Sequence, residues 1–371
     1  MNNIFYKKLL FAIFTISLSL NCSLVIGQEK FTYNPEKYIC YQAAEPIIVD
    51  GDLSEQSWLN APWTTDFVDI EGALKPNPHK RTRAKMLWDD HYFYVGAEIV
   101  ESDIWATYDK RDMVIFHEND FEVFIDPNGD THHYYELEIN ALGTEWDLML
   151  TKPYRDGGQA IDSWEILGLQ SGIKINGTIN DPSDKDDRWF VELAFPWKVL
   201  EEAASKGGKP ADGDQWRVNF SRVNWRIVAS GDHYEKEVNP STGKHFPEYN
   251  WVWSPQGVIA MHQPETWGFV QFSSIKSGEG ESKFLPNPDD PIKWLLRNVY
   301  YSQSAYFRRN HEYADDLSKL EFSDGTLFER MKSEKVQLVT GAKFYQAFIV
   351  KQDKYIMIDH EGKVTVKSAN Q

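Results

Sequence analysis

Three glutamates, Glu122, Glu136 and Glu138, stand in two short segments of alternating residues, 119–126 and 134–140. Successive side chains of a strand point to opposite faces, so Phe121, Val123 and Ile125 fall on one side while Glu122, Phe124 and Asp126 fall on the other. The run Asp126-Pro-Asn-Gly-Asp130 between the segments is turn chemistry. If the segments pair as a hairpin about that turn, Tyr134, Glu136, Glu138 and Asn140 join the Glu122 face. The product is a surface of carboxylates, an amide and aromatic rings. Such a surface suits a ligand with both hydroxyls and apolar C–H faces, and sugars are the obvious class.

Paired carboxylates also invite a hydrolytic reading, because retaining and inverting glycosidases work with two of them about 5–5.5 Å or roughly 6.5–9.5 Å apart. Polar strand faces carry glutamates routinely, however, and nothing else in the sequence marks a protonated acid opposed to an ionised base. The residues therefore point to binding without turnover, with a glycoside hydrolase as the alternative. Asp126, Asn128 and Asp130 alternate oxygen ligands around Gly129 in the manner of a calcium loop, but lack a closing bidentate glutamate. A plain hairpin loop is the simpler reading, with Ca2+ as a cofactor candidate; the acidic run at 181–187 has the same ambiguity. His132 and His133 are neighbours, which a strand would aim at opposite faces, so a shared metal is not expected.

In the segment 213–225, Trp216, Val218 and Phe220 alternate with Arg217, Asn219 and Ser221. Arg217 and Asn219, with Arg222 and Asn224, are placed to donate to sugar hydroxyls beside the acids, or to form cross-strand ion pairs with Glu122 or Glu138.

These residues must be positioned by strands. From residue 38 to 274 the chain reads as short alternating segments broken by Gly, Pro, Asn and Asp, the pattern of a mainly β, antiparallel β-sandwich. Strands are expected at 47–49, 83–88, 92–100, 120–126, 134–141, 146–151, 173–178, 189–195, 215–225 and 268–272, with short helical turns at 54–59 and 197–204. Residues 275–289 read as a linker. Asp290-Pro291 then opens an amphipathic helix running to about residue 320. Strands at 336–339, 344–351 and 354–358, with a fourth after Glu361-Gly362, complete a small α+β appendage over 290–371.

The first 27 residues have the form of an export signal: Lys7-Lys8, an apolar run from Leu9 to Leu20, and small residues before Gln28. Lipid attachment at Cys22 is the rival use of this leader. The apolar run is too short to span a membrane permanently, and no later segment reaches the roughly 20 residues a span requires. The chain is therefore expected to be exported: periplasmic, held at the cell surface or secreted. The 371 residues carry a formal charge of −17, which argues against nucleic acid and anionic membrane as partners. Without the leader only Cys40 remains, so stability must come from a large core rather than a disulfide.

Four phrases occur in a telling order: Ile48-Val-Asp-Gly-Asp-Leu-Ser-Glu-Gln-Ser-Trp58, Met86-Leu-Trp-Asp-Asp-His-Tyr-Phe-Tyr-Val95, Asp120-Phe-Glu-Val-Phe-Ile-Asp-Pro127 and Trp189-Phe-Val-Glu-Leu-Ala-Phe-Pro-Trp197. Together they resemble the family 9 carbohydrate-binding module and its relatives in exported bacterial proteins, found alone or attached to glycoside hydrolases. The resemblance covers residues 38–274 and implies a sandwich that binds a poly- or oligosaccharide, typically at a sugar end, without cutting it.

Family sites of this kind hold the sugar between two rings. By position the first ring is Phe116, where the family commonly has tryptophan, and the second lies at Trp253 or Trp251, with Met261 competing. Glu122 matches a family carboxylate. Glu138 stands where the family has an arginine, which changes a donor into an acceptor. Asp50-Gly51 reads as a tight turn needing positive φ, and Trp58 as a core plug. Some sandwich relatives bind haem through methionine, histidine or lysine, and Met149, Met261 and His262 keep that alternative, or a scaffold without ligand, open. Residues 299–306 and 313–317 resemble the helix of pilin-like proteins, so the appendage is expected either to dock a protein partner or to pack on the sandwich.

Overall fold

The computed structural model describes residues 32–368; the leader expected over residues 1–27, with Cys22, lies outside them. Among the described residues, 13 strands join in one sheet. Its path runs Ala160–Ile161, Glu145–Leu150, Tyr134–Asn140, Asp120–Asp126, Gln215–Asn224, Gly268–Lys276, Lys37–Gln42, Thr82–Trp88, Tyr92–Val100, Arg188–Pro196 and Gln170–Asn176. Val68–Asp69 and Tyr249–Val252 are attached to the side of Gln215–Asn224. Phe121, Val123, Leu137, Val218 and Phe220 from one half of this path meet Met86, Val95, Val191 and Leu193 from the other in a single apolar cluster. Burial of that inward-facing set closes the path into a sandwich.

All pairings are antiparallel except those of Lys37–Gln42, which runs parallel to both Gly268–Lys276 and Thr82–Trp88. This strand was not expected from the sequence, and the strand expected at 47–49 is extended chain without a partner. Glu192 shows why. Its carboxylate accepts hydrogen bonds from the backbone N–H of Asp50 and of Gly51, each at 3.0 Å, and from the indole N–H of Trp58 at 2.7 Å. The turn is thus tied to a side chain instead of a ladder. Gly51 has φ +86°, and a Cβ there would lie 2.6 Å from the backbone nitrogen of Lys174, so the turn can approach its neighbouring strand only as glycine. Trp58 is fully buried. Glu192→Gln keeps one acceptor oxygen and turns an amide toward donors; it should cost about 1–3 kcal/mol in urea unfolding.

The segment between Lys276 and Asp290 has neither helix nor strand, yet it is fastened to the sandwich. Gln271 donates to Lys283 O and accepts from Leu285 N, and Gln215 donates to Leu285 O. Helix Asp290–Asn310 ends about ten residues before the expected point. His311 there is left-handed with φ 59°, and Gln303 clamps both backbone groups of Ala314 (2.8 and 2.9 Å), turning the chain back. Tyr313 and Leu317, which had suggested a longer helix, reach the same small core from this return segment.

A helix at Gly325–Ser333 was not expected; Asp324 caps it by accepting from Thr326 N at 2.9 Å. Four antiparallel strands, Gln337–Thr340, Tyr345–Lys351, Lys354–Asp359 and Val364–Ser368, complete the appendage. None of the described helices is long and apolar enough to cross a membrane.

Candidate functional site

The expected hairpin forms with the expected faces. Glu122 pairs with Glu138, Phe124 with Glu136 and Asp120 with Asn140. The alternation continues into strand Glu145–Leu150, where Glu138 pairs with Trp146 and Glu136 with Leu148. On this face Phe124, Tyr134, Leu148, Leu150 and Trp267 form a second apolar cluster, with Met261 against it. Beside it opens a hollow of about 360 Å³. Glu122, Glu136, Glu138 and Glu248 supply its acids, Asn250 its amide, and Phe116, Trp146, Tyr154, Ile259 and Met261 its rings and apolar walls. Phe116 and Trp146 have centroids 6.4 Å apart and planes within 28°. A second hollow of about 540 Å³ shares Ile70, Glu248, Asn250 and Ile259 with the first, and carries Lys75, His79, Arg226 and Trp251.

The hollow's electrostatics are one-sided. Among its lining residues there is no lysine or arginine. Burial raises the Glu122 carboxyl to about 7, with the Ser221 hydroxyl opposing it and the Glu248 charge adding to it. Burial and then the Glu122 charge hold Glu136 and Glu138 well above the usual carboxylate range, and the same two causes act on Asp120 next to them. His262 is pushed down to about 4 by burial and then by Arg155, and its Nδ1 lies 3.0 Å from the Tyr134 hydroxyl.

Of the residues read from the sequence, the structure gathers Phe116, Glu122, Glu136, Glu138, Met261 and His262 at the hollow, and places Asn140, Arg217, Asn219, Trp251 and Trp253 elsewhere. Phe116 is half-buried, and its backbone N–H donates to Glu138 Oε2 at 2.8 Å. Asn140 is sealed: its amide donates to Tyr108 O and Glu118 Oε1, and its oxygen accepts from Leu142 N and Thr144 N. Arg217 donates to Trp267 O at 2.6 Å and Tyr33 Oη at 2.9 Å, with its guanidinium 3.5 Å over Phe269. Asn219 exchanges two 2.9 Å bonds with the backbone of Ser254.

The anticipated ion pair to Glu122 or Glu138 does not form, because Arg222 is spent on Glu101 at 2.6 Å and on Val100 O. Trp253 faces the sandwich core, tilted on Phe220 at 5.8 Å, and a Cβ on Gly268 would strike its ring at 2.4 Å. It is therefore not the second ring. Trp251 is buried against Tyr249 and His79 beside the second hollow. Met149 packs on the core, on the opposite side from Met261 and His262, so these three residues do not converge on one ligand.

Trp146, Tyr154, Glu248 and Asn250 were missed as lining residues. Trp146 was within reach, since it shares the parity of Leu148 and Leu150 on the next strand; Tyr154 and Glu248 lie in loops with no periodic signal. The Asp126–Asp130 oxygens serve the loop itself: Asp126 accepts from Gly129 N and Thr131 N, Asn128 from Asp130 N, and Asp130 from His132 N. In the 181–187 loop, Asp186 likewise accepts from Thr178 N and Ile104 N.

Comparison with known proteins finds partial matches to this chain. Residues 49–220 match the family described as carbohydrate family 9 binding domain-like. An exoglucanase XynX from Acetivibrio thermocellus is 34% identical over 117 residues, which is 32% of this chain and 9% of that protein. An endo-1,4-beta-xylanase A from Thermoanaerobacterium saccharolyticum is 38% identical over 116 residues, 31% of this chain and 8% of that protein. The chain thus spans less than a tenth of these relatives. A solved family 9 module from Caldicellulosiruptor kristjanssonii, in complex with cellotriose, aligns with 68% of this chain and 100% of its own, at 14% identity and TM-score 0.41. Residues 49–220 thus form a region that matches the carbohydrate family 9 binding domain-like family.

Proposed function

We propose that this chain is an exported, non-catalytic glycan-binding protein of polysaccharide capture or catabolism, holding a sugar in the Glu122 hollow. The observation that carries the reading is the meeting of acceptor carboxylates with half-buried rings. Glu122, Glu136 and Glu138 stand beside Phe116 and Trp146 in a hollow of the size that takes a small ligand. Carboxylates accept from hydroxyls, and the rings cover C–H faces. The adjoining hollow, with Arg226, Lys75 and His79, gives the next sugar of an oligosaccharide somewhere to lie.

Binding rather than cutting follows from the common environment of the acids. Two-carboxylate hydrolysis needs one protonated and one ionised group, whereas burial raises Glu122, Glu136 and Glu138 alike.

Affinity should be modest, on the order of millimolar to micromolar, because sugar hydroxyls exchange bonds to water for bonds to protein. Calorimetric titration of the full chain with mono- and oligosaccharides tests this. The β-1,4 glucans and xylans suggested by the relatives' names are the first to try. Trp146→Ala should weaken binding about tenfold, roughly 1.4 kcal/mol. Release of reducing sugar from any glycan, or failure of every glycan to bind, would overturn the reading.

A further inference from the structure

The acids at the floor of the hollow continue inward to Asp120. One carboxylate oxygen from each of Asp120, Glu122 and Glu138 lies within 4.8 Å of the others. All three side chains are more than nine-tenths buried. Their oxygens are only partly used. Asp120 Oδ1 accepts from Val223 N and Glu138 Oε2 from Phe116 N, whereas Asp120 Oδ2 and Glu122 Oε2 are buried without any partner. Ser221 stands across from Glu122 in the strand register, fully buried, and the Glu122 carboxyl is the one group its hydroxyl serves.

A second acidic triad in the protein shows the contrast. Asp112, Asp147 and Glu165 are equally close together, but Arg111 clasps them. No such cation serves the first set, since Arg217 and Arg222 are committed elsewhere.

We propose that Asp120, Glu122 and Glu138 bind a hard divalent cation of the calcium class, with Ser221 as a neutral oxygen neighbour. The donor set is all oxygen, which suits calcium, manganese or magnesium and disfavours softer metals. Three oxygens within 4.8 Å of one another lie no more than about 2.8 Å from a common point, so a small inward movement of the side chains brings them to the 2.3–2.6 Å calcium range. The cation would satisfy the orphaned oxygens and relieve the mutual repulsion of buried carboxylates, costs that Val223 N, Phe116 N and Ser221 offset only in part. Glu122 and Glu138 also line the hollow, so the ion would keep coordination positions open on that side. The site stands whether or not a sugar enters.

The test is calorimetric titration of the full chain, stripped with chelator and held at pH 7.5, with calcium, manganese and magnesium chlorides. Terbium luminescence sensitised by Trp146, the register partner of Glu138, is the second readout. Saturable binding of one ion is expected, weakened at least tenfold in both Asp120→Asn and Glu138→Gln. Circular dichroism melting should show both near-isosteric variants folded without metal. No saturable heat with any of the three ions would overturn the proposal. So would binding that survives the double variant, which would move the ion to another loop, or glucosamine binding competitively in place of a metal, which would make the cluster an ammonium site.

Discussion

The protein should lose stability as the pH rises from about 4.5 to 8 in the presence of a chelator, by on the order of 3 kcal/mol through Glu122 alone. Its carboxyl is raised from 4.5 to about 7 by burial, with the Ser221 hydroxyl opposing and the Glu248 charge adding to it, so the folded state holds a proton that the unfolded chain has already released. The stabilisation is complete below the unfolded value and disappears as the pH passes through the folded one. Asp120, Glu136 and Glu138 are raised in the same sense and extend the loss upward. Urea midpoints measured across this range should therefore fall, and Glu136→Gln, which removes one of the repelling charges, should flatten the dependence. A midpoint that climbs between pH 5 and 8 would mean that these acids are ionised and compensated in the fold.

Glu265→Ala should destabilise the protein by about 3 kcal/mol. Glu265 is buried where the sandwich meets the long helix, 2.9 Å from Arg155, and accepts from the hydroxyl of Tyr301. Arg155 also donates to the Tyr300 hydroxyl at 3.2 Å. Burial works to raise the Glu265 carboxyl, but Arg155 and then Arg297 overcome it and bring it down to about 2. Its contribution is therefore present above pH 4.5 and lost as the pH falls toward 2.

Removing the carboxylate leaves Arg155 with Tyr300 and Asp156 and takes the Glu265 charge away from Arg297, whose own Nε and Nη1 lack partners. Tyr301→Phe, which removes only one hydroxyl, should cost about 1 kcal/mol. Unfolding midpoints of the two variants at pH 7 and pH 3 check both statements, because the difference between wild type and Glu265→Ala should shrink at the lower pH.

The parts of the site that could be read from sequence are those governed by nearest neighbours in the chain. Period-two alternation through Phe121, Glu122, Val123 and Phe124 fixed which residues share a face, while the register that sets Glu138 opposite Glu122 is seen only in the structure. The parts that could not be read depend on distant chain. Arg217 lies on the face that parity assigns, but Trp267 O and Tyr33, neither of them local, take its donors. Trp253 follows the end of strand Tyr249–Val252, so its direction is set by its backbone bond to Phe220 O and by the space over Gly268. The outer wall comes from loop residues such as Tyr154, Ile259 and Met261, which have no period to follow. In the appendage, Tyr313 and Leu317 kept helical spacing after the helix had stopped, because a return segment on the same core imitates one more turn.

The parallel strand Lys37–Gln42 sets the timetable of folding. Lys37 lies beside Phe269 and Cys40 beside Phe272, so the earliest strand of the sandwich is completed by one of the last to be synthesised. Hairpins such as Asp120–Asp126 with Tyr134–Asn140 assemble from residues close in the chain, while closure waits for the most remote pairing in the domain and is the slow step. A ribosome that still holds residues 268–276 would keep the seam of the sandwich open, with the acid-lined hairpin formed and the N-terminal strand short of its longer partner.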